Sequence, residues 1–240
     1  MPGEQSMNKD LTNSDPNRPP RSPEMARDAV VVWHLAPADA EYPQQLLHGK
    51  FASQEINLYG VGDRAVLQRP CLGLVCSVQC PGSVVIKTYD AIRHIRDAGI
   101  VVAGGFHSPM EQDCLDFLLR GPQAVILSPA RHPPTRYPAQ QRQAMDERQL
   151  CVLSRFSPGF RSQDRRSAIL RNELITALCA AVFVPHASPG GAVHATAMTC
   201  LARGQAVFTI PSEDNADLLQ AGALPVDVSS VSQCLRSSHV

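Results

Sequence analysis

Three short loops rich in small residues are the features of this sequence best suited to chemistry. They span residues 77–83, 104–108 and 188–191, and each follows an apolar run and leads into a segment with helix signals. Backbone N–H groups in such loops can approach and hold an anion such as phosphate, although the glycine and proline of any single loop are equally suited to a tight turn. The expected phosphate-binding residues in these loops are Ser77, Gly82, Ser83, Gly104, Gly105, His107, Ser108, Ser188, Gly190 and Gly191. None of the loops is a Walker A loop or a Gly-x-Gly-x-x-Gly motif. The sequence therefore lacks the defining feature of an ATPase and that of an ordinary NAD-dependent dehydrogenase.

Candidate acid and base groups stand in and after the second loop. His107 and Glu111 are four residues apart at the expected start of a helix, a spacing that can place both on one helix face beside a bound phosphate. They are therefore the candidate catalytic residues, for cleavage of a glycosidic or phosphate bond. The alternative is structural, with Ser108 as a helix N-cap and Glu111 complementing the positive end of the helix dipole.

The eight cysteines do not form a metal motif. Most of them lie in apolar segments, which is typical of reduced thiols that fill a hydrophobic core. Cys71, Cys76 and Cys80 are close in sequence, but their spacing is not a usual zinc spacing and no His stands at a complementary distance. We therefore expect neither a metal site nor a cofactor.

Positive charge is concentrated in one segment of an otherwise neutral chain. The 22 basic and 22 acidic residues balance, which excludes an overall polycationic or polyanionic mode of binding. Between Arg131 and Arg171, however, nine arginines stand against three acidic residues, a local net charge of +6. Phe156 and Phe160 lie among these arginines and offer flat faces for base stacking beside phosphate-binding guanidinium groups. The alternative is a solvated segment with both phenylalanines packed inward.

The elements that would position these groups are indicated by seven apolar runs between residues 71 and 228, most of them about 25 to 30 residues apart. That interval is the length of one strand, one crossover helix and two loops. Runs that are apolar throughout predict strands covered on both faces. The predicted fold is therefore α/β: a doubly wound, mainly parallel sheet of about six or seven strands with helices on both faces, an extended Rossmann-like fold. Ligands bind such sheets at the carboxyl ends of the strands, where the three loops fall.

Composition divides the chain into four parts. Residues 1–27, rich in Pro, Asn, Ser and mixed charge, are expected to be a disordered N-terminal leader, and residues 28–70 a short extension packed on the core. Residues 71–228 are the Rossmann-like domain, and residues 229–240 are a C-terminal tail. No apolar run approaches the ~20 residues needed to cross a bilayer, so we expect a cytoplasmic protein without a membrane partner.

Several short motifs between about residues 40 and 228 occur in a particular order. They are Tyr42-Pro43, Leu58-Tyr59-Gly60, Val75-Cys76-Ser77, Ala103-Gly104-Gly105, Arg171-Asn172, Gly190-Gly191-Ala192, Ile210-Pro211-Ser212, Asn215 and Gly222-Ala223. In this order they resemble the DNA-processing protein A family (DprA, also called Smf), of which the chain looks like a divergent member.

The resemblance implies an extended Rossmann fold, binding of single-stranded DNA, and a role in DNA recombination or natural transformation without catalytic turnover. It adds Arg171 and Asn172 to the expected DNA-binding residues. A RecA-type recombinase, loaded onto the bound strand, and a second copy of the chain are the protein partners considered.

Three departures from the family pattern leave a second function open. Val78 stands where the family has a strand-end arginine, Glu173 replaces the second arginine of Arg-Asn-Arg, and residues 104–115 replace the family's Gly-Ile-Asp loop. The wider superfamily that the chain resembles includes nucleotide-binding sensors and phosphoribohydrolases. A pocket of His107, Glu111 and the 188–191 loop would suit such a nucleotide-binding or nucleotide-cleaving protein, an enzyme of the N-glycosidic hydrolase class.

Overall fold

The computed structural model describes residues 30–48 and 54–237; the expected leader, residues 1–27, lies outside the described residues. The strands in the described part of the chain are β1 (Trp33–Leu35), β2 (Leu58–Val61), β3 (Cys71–Leu74), β4 (Val101–Gly104), β5 (Val125–Leu127), β6 (Leu150–Ser154), β7 (Ala181–Val184), β8 (Ala206–Thr209) and β9 (Leu224–Pro225). The α-helices are α1 (Gly82–Asp97), α2 (Pro109–Leu118), α3 (Ala139–Asp146), α4 (Arg165–Leu178), α5 (Ala192–Ala202), α6 (Ala216–Gln220) and α7 (Val228–Ser237). Short 3-10 helices cover Gln44–Leu47, Arg64–Gln68 and Glu213–Asn215.

All of these strands form one sheet in the order β1-β2-β6-β5-β4-β3-β7-β8-β9. The seven strands from β6 to β9 in this order are parallel to one another, and β1 and β2 are added antiparallel at one edge. The predicted α/β fold with a mainly parallel, doubly wound sheet is confirmed. The parallel strands come from the apolar runs because only a strand buried on both faces can be apolar at every position.

Helices cover both faces of the sheet, and successive residues of a central strand alternate between the two layers. Leu72 of β3 packs in one layer with Ile92 of α1 and Val231 of α7. Cys71 of the same strand packs in the other layer with Ile175 of α4. α5 continues this second layer over β7 and β8. The chain therefore places α1, α2, α3 and α7 on one face and α4 and α5 on the other.

The two ends of the described chain differ from the simple βα pattern. The segment 28–70, expected to pack on the core, supplies β1 and β2 and so widens the sheet. The last of the seven apolar runs, residues 225–228, predicts a strand, but only Leu224–Pro225 pairs with β8, and Val228 already begins α7. Asp227 accounts for the early helix, since its carboxylate accepts the N–H of Ser230 at 2.9 Å as an N-cap does. The described residues of the expected C-terminal tail thus belong to a helix packed on the core. Among the described residues, none of the helices has both the length and the apolar character that crossing a membrane requires.

Candidate functional site

The loops after β3 and β7 meet where the order of the parallel strands reverses. β3 pairs with β4 on one side and with β7 on the other, so the chain builds outward to β6 and returns across the sheet through α4. Such a reversal opens a crevice at the carboxyl ends of the strands. The N–H of Ser77 donates to the His186 carbonyl (3.1 Å), and the N–H of Ser188 donates to the Ser77 hydroxyl (3.0 Å). Two of the three predicted loops are therefore joined, with Ser77 as the link.

The loop that follows β8 joins the same edge through a buried side chain. Asn215 is 1% exposed, its amide nitrogen donates to the carbonyls of Pro185 (2.7 Å) and Ile210 (2.9 Å), and its Oδ1 lies 2.9 Å from Nδ1 of His186. The loop analysis missed this segment, because it contains no glycine between residues 210 and 221. Only the family resemblance singled out Asn215.

Glu111 holds the 104–108 loop against the loop that follows β3. Its Oε1 accepts the N–H of Cys76 (2.9 Å), and its Oε2 accepts the N–H groups of His107 (2.8 Å) and Ser108 (3.1 Å). The Ser108 hydroxyl accepts the Glu111 N–H in return, which completes a capping box at the start of α2, just after Gly104 ends β4. The carboxylate is 4% exposed and bonded to backbone on both oxygens. This geometry is the one that the structural interpretation of Glu111 predicts, whereas a general acid needs an oxygen within reach of a substrate.

Arg171 places a buried positive charge beside the same loop. The residue is 7% exposed, and its Nε has no hydrogen-bond partner among the residues that the structure describes. A Cβ atom on Gly105 would fall 1.5 Å from Nη1 of Arg171, so the guanidinium lies directly on the glycine backbone. Burial lowers the pKa of Arg171, and the charge of Glu111 opposes that shift. Asn172, also predicted, follows on α4 and is buried. The edge of the crevice thus holds a buried cation, and guanidinium groups are suited to binding phosphate.

The other predicted loop residues lie at helix starts on this edge. Gly82 begins α1, and the Ser83 hydroxyl donates to Asp214 at 2.7 Å. Gly190 has a positive φ of 70°, and Gly191 is the N-cap of α5 without a side-chain cap bond. The described residues thus give the N-terminus of α5 no side-chain cap, and helix N-termini of this kind can bind anions.

An aromatic and basic surface lies at the carboxyl ends of β5 and β6. Phe156 is buried, and its ring stacks on Phe160 with centroids 4.5 Å apart and planes at 14°. Phe160 is 36% exposed. The N–H of His132 donates to the Phe160 carbonyl (3.3 Å), which joins the loops after β5 and β6. These loops and the start of α4 carry the exposed arginines Arg131, Arg136, Arg161, Arg165 and Arg166. We call these five arginines with Phe160 the basic patch.

Glu173, which stands where the family pattern has an arginine, forms an ion pair with Arg155. Arg155 Nη1 lies 3.8 Å from Glu173 Oε2, with the side chains 13% and 28% exposed. Burial lowers the pKa of Arg155, and Glu173 opposes that shift. Glu173 also lines a cavity of about 210 Å³ between α4 and α5, together with Arg165, Ile169 and Gly190. No three His, Cys, Asp or Glu side chains of the described residues are grouped to hold a metal ion.

Two solved structures are similar to this chain. DNA processing protein A (DprA) from Streptococcus pneumoniae is 20% identical with a TM-score of 0.72, over 88% of this chain and 76% of that one. DNA processing protein A from Helicobacter pylori, described with its single-stranded DNA binding mode, is 18% identical with a TM-score of 0.68, over 85% of this chain and 96% of that one. At these identities the two structures establish the fold. Among curated proteins, none matches the sequence.

The sequence of this chain matches the model of one protein family. The model of DNA recombination-mediator protein A matches residues 33–231, which include every strand and nearly all of the helical structure described above. The matched range contains the crevice loops, Arg171 and the basic patch. The chain therefore belongs to the DNA recombination-mediator protein A family.

Proposed function

We propose that this protein binds single-stranded DNA at the crevice edge, as a non-enzymatic component of DNA processing. The observation that carries the proposal is Arg171, a 7% exposed arginine with an unpartnered Nε, lying on Gly105 where the strand-end loops meet. Burial of a cation is costly, and Glu111 offsets that cost only in part, because the pKa of Arg171 is still lowered; a phosphate beside the guanidinium would offset more of it. Membership of the family, and the DNA-binding relative from Helicobacter pylori, support DNA as the source of that phosphate.

The basic patch extends the proposed contact beyond one phosphate. Its exposed arginines can follow a phosphate backbone, and the outer face of Phe160 can stack on a base. Phe156 would support Phe160 from below, because the two rings are stacked. Single strands suit such a surface better than duplexes, since their bases are free to stack on side chains.

The two charge departures are compatible with this proposal. Glu173 is paired with Arg155, so its negative charge is partly neutralised before DNA arrives. Val78 is 68% exposed in the loop after β3 and contributes no charge there. Binding would therefore depend on Arg171 and the basic patch, together with the loops at Ser77–Ser83, Gly104–Ser108 and Ser188–Gly191. The N–H groups of Ser77, His107, Ser108, Ser188 and Gly191 are bonded within the chain, so the contribution of these loops would come from their remaining groups.

The proposal also includes protein partners and a cellular role. A DNA-bound chain would load a RecA-type recombinase in the cytoplasm, during recombination or natural transformation, and would act as a homodimer. Strand exchange by a RecA-type recombinase, with and without the chain, tests the first statement. Sedimentation equilibrium tests the second.

The test of DNA binding is the fluorescence anisotropy of a labelled single-stranded oligonucleotide at several salt concentrations. Contact with about three phosphates predicts an affinity that falls about 20-fold between 50 and 200 mM salt, because counterions are released. We expect Arg171→Gln to weaken binding about tenfold and to make the salt dependence shallower. Arg148→Gln is the matched control, since Arg148 is exposed and precedes β6 at the opposite edge of the sheet. Equal binding by the two variants would contradict the proposal.

The alternative, a nucleotide-binding or nucleotide-cleaving pocket, is examined in the same assay. A mononucleotide that competes fully with the oligonucleotide at low concentration would favour it. Cleavage through Glu111 has little geometric support, because both oxygens of Glu111 already accept backbone N–H groups.

A further inference from the structure

The cavity of about 210 Å³ between α4 and α5 lies beside the proposed DNA contacts but is not used by them. Its α4 wall consists of residues that recur every three or four positions and therefore share one helix face. They are Arg165, Ile169, Glu173 and Thr176. The facing positions of α5 carry alanine and threonine, and because these side chains are small, the two helices leave a space between them.

One end of the cavity lies at the crevice edge. Both helices begin at the carboxyl ends of the strands, so Arg165, the first residue of α4, and Gly191, the N-cap of α5, stand at this end. Arg165 belongs to the basic patch, and Ile169, one turn further along α4, is 38% exposed. A strand whose phosphates follow the crevice edge and the basic patch therefore passes the entrance of the cavity.

The walls of the cavity offer a carboxylate among small and apolar groups. The threonine hydroxyls of α5 donate to carbonyls one turn earlier in the same helix, at 2.9 Å for Thr196 and 2.8 Å for Thr199. Arg203, at the far end, donates to a carbonyl in the last turn of α4 at 2.9 Å. The carboxylate of Glu173 lies between the two ends, with its side chain 28% exposed.

The size and polarity of the cavity are suited to a nucleobase. Its volume of about 210 Å³ is below the ~300–1,000 Å³ of pockets that enclose a drug-sized ligand, so it suits a flat ring system rather than a whole nucleotide. A carboxylate only accepts hydrogen bonds. Thymine turns two carbonyl oxygens and a single N–H toward it, whereas guanine offers N1–H and its 2-amino group side by side, on the edge by which proteins read unpaired bases.

We propose that this cavity receives one base of the bound DNA strand and that Glu173 selects guanine there; the proposal rests on the proposed function. The ion pair with Arg155 is compatible with this role, because it involves Oε2 of Glu173 and an ionised carboxylate has about four acceptor positions on its two oxygens. The glutamate that stands in place of the family's arginine would then exchange a contact with phosphate for a contact with a base.

Fluorescence anisotropy of labelled dT oligonucleotides tests the base preference. One oligonucleotide is all dT, a second carries a single dG, and a third carries a single deoxyinosine, which lacks the 2-amino group. We expect the wild type to bind the dG oligonucleotide about tenfold more tightly than all dT, with deoxyinosine in between. Binding of all three with equal affinity would overturn the inference alone, whereas absence of binding to any of them would refute the proposed function.

Glu173→Gln tests whether the carboxylate makes the selection. The variant should bind the dG and all-dT oligonucleotides within about twofold of each other, and should bind all dT at least as tightly as the wild type, because a negative charge near the phosphates is removed. A role in charge alone would change both affinities by the same factor and keep the preference, a result that would overturn the assignment. Glu147→Gln is the matched control, since Glu147 is exposed and ends α3 at the opposite edge of the sheet, and it should keep the wild-type preference.

Ala195→Leu tests the cavity independently of charge. Ala195 lines the cavity and is exposed, and leucine is nearly as good a helix former as alanine, so the larger side chain should fill the space without unfolding α5. We expect the preference for dG to disappear. Ala202→Leu, an exposed position of the same helix outside this cavity, should retain it. An undiminished preference in Ala195→Leu would show that the base binds elsewhere.

Discussion

Replacing Glu111 with Gln removes the charge from a buried carboxylate that accepts three backbone N–H groups. A glutamine amide has one acceptor oxygen and two N–H donors, so it can keep the bonds to His107 and Ser108 or the bond to Cys76, but not both sets. At least one buried N–H loses its partner and faces a second donor, at a cost of about 1–3 kcal/mol. The bonds that remain are weaker by about 1 kcal/mol in sum, because the acceptor is neutral. We expect the free energy of unfolding to fall by about 2–4 kcal/mol.

For a chain of this size each kcal/mol lowers the melting temperature by about 2–4 °C, so Glu111→Gln should melt roughly 5–15 °C below the wild type in a circular dichroism scan. The matched control is Glu213→Gln, because Glu213 is exposed, and its effect should stay within about 0.5 kcal/mol. Equal melting temperatures of the two variants would show that Glu111 does not hold the loops together. Release of free base from a mononucleotide by the wild type, lost in a Glu111→Gln protein of unchanged stability, would assign Glu111 a catalytic role instead.

Three further substitutions test other parts of the structure. Gly105→Ala should displace the Arg171 guanidinium, whose Nη1 lies 1.5 Å from the position of the added carbon, and so weaken oligonucleotide binding. An added carbon on Gly82 meets no atom of the described residues within 4 Å, so Gly82→Ala should leave the melting temperature nearly unchanged or slightly raised. Phe160→Ala should weaken binding about 5- to 100-fold, the loss of one stacked base, and Phe117→Ala, which alters a half-buried aromatic residue on α2, should not; equal anisotropy curves would remove Phe160 from the interface. Asp164→Ala should lower the melting temperature near neutral pH, because hydrogen bonds from the first turn of α4 lower the pKa of this N-cap carboxyl. Since the pKa is lower in the folded state, the difference from the wild type should be constant above about pH 5 and should shrink as the pH falls below about 4; a difference that grows in acid would contradict this assignment.

The crevice edge was predictable because both of its causes are local in sequence. Fully apolar runs specify buried parallel strands, and small residues directly after them mark the loops at the carboxyl ends. Ser108 and Glu111 could likewise be assigned to a helix start, since the capping box depends on residues three positions apart. The strands β1 and β2 were not predicted, because neither is part of a βα unit and their place beside β6 depends on antiparallel pairing with a distant segment.

The basic segment was less informative about its own geometry. Its composition indicated guanidinium groups beside aromatic rings, but it did not indicate which phenylalanine is exposed. Only the fold buries Phe156 and leaves Phe160 at the surface. The arginines also separate by environment: Arg155 pairs with Glu173, and Arg171 is buried against Gly105. Such differences arise from contacts between α4 and the strand ends, which no spacing within the segment encodes.

By itself the sequence determined the alternation of strands and helices and the edge of the sheet at which the loops rich in small residues lie, because periodicity and turn chemistry act over a few neighbouring residues. The tertiary structure alone decided which polar groups at that edge are satisfied and which are not. Glu111 is occupied because the N–H of Cys76, 35 residues away, reaches its carboxylate, and Arg171 keeps a free donor because α4 carries it onto a residue without a side chain. Hydrogen bonding and burial depend on distances in space, and those are set only when the whole sheet has assembled.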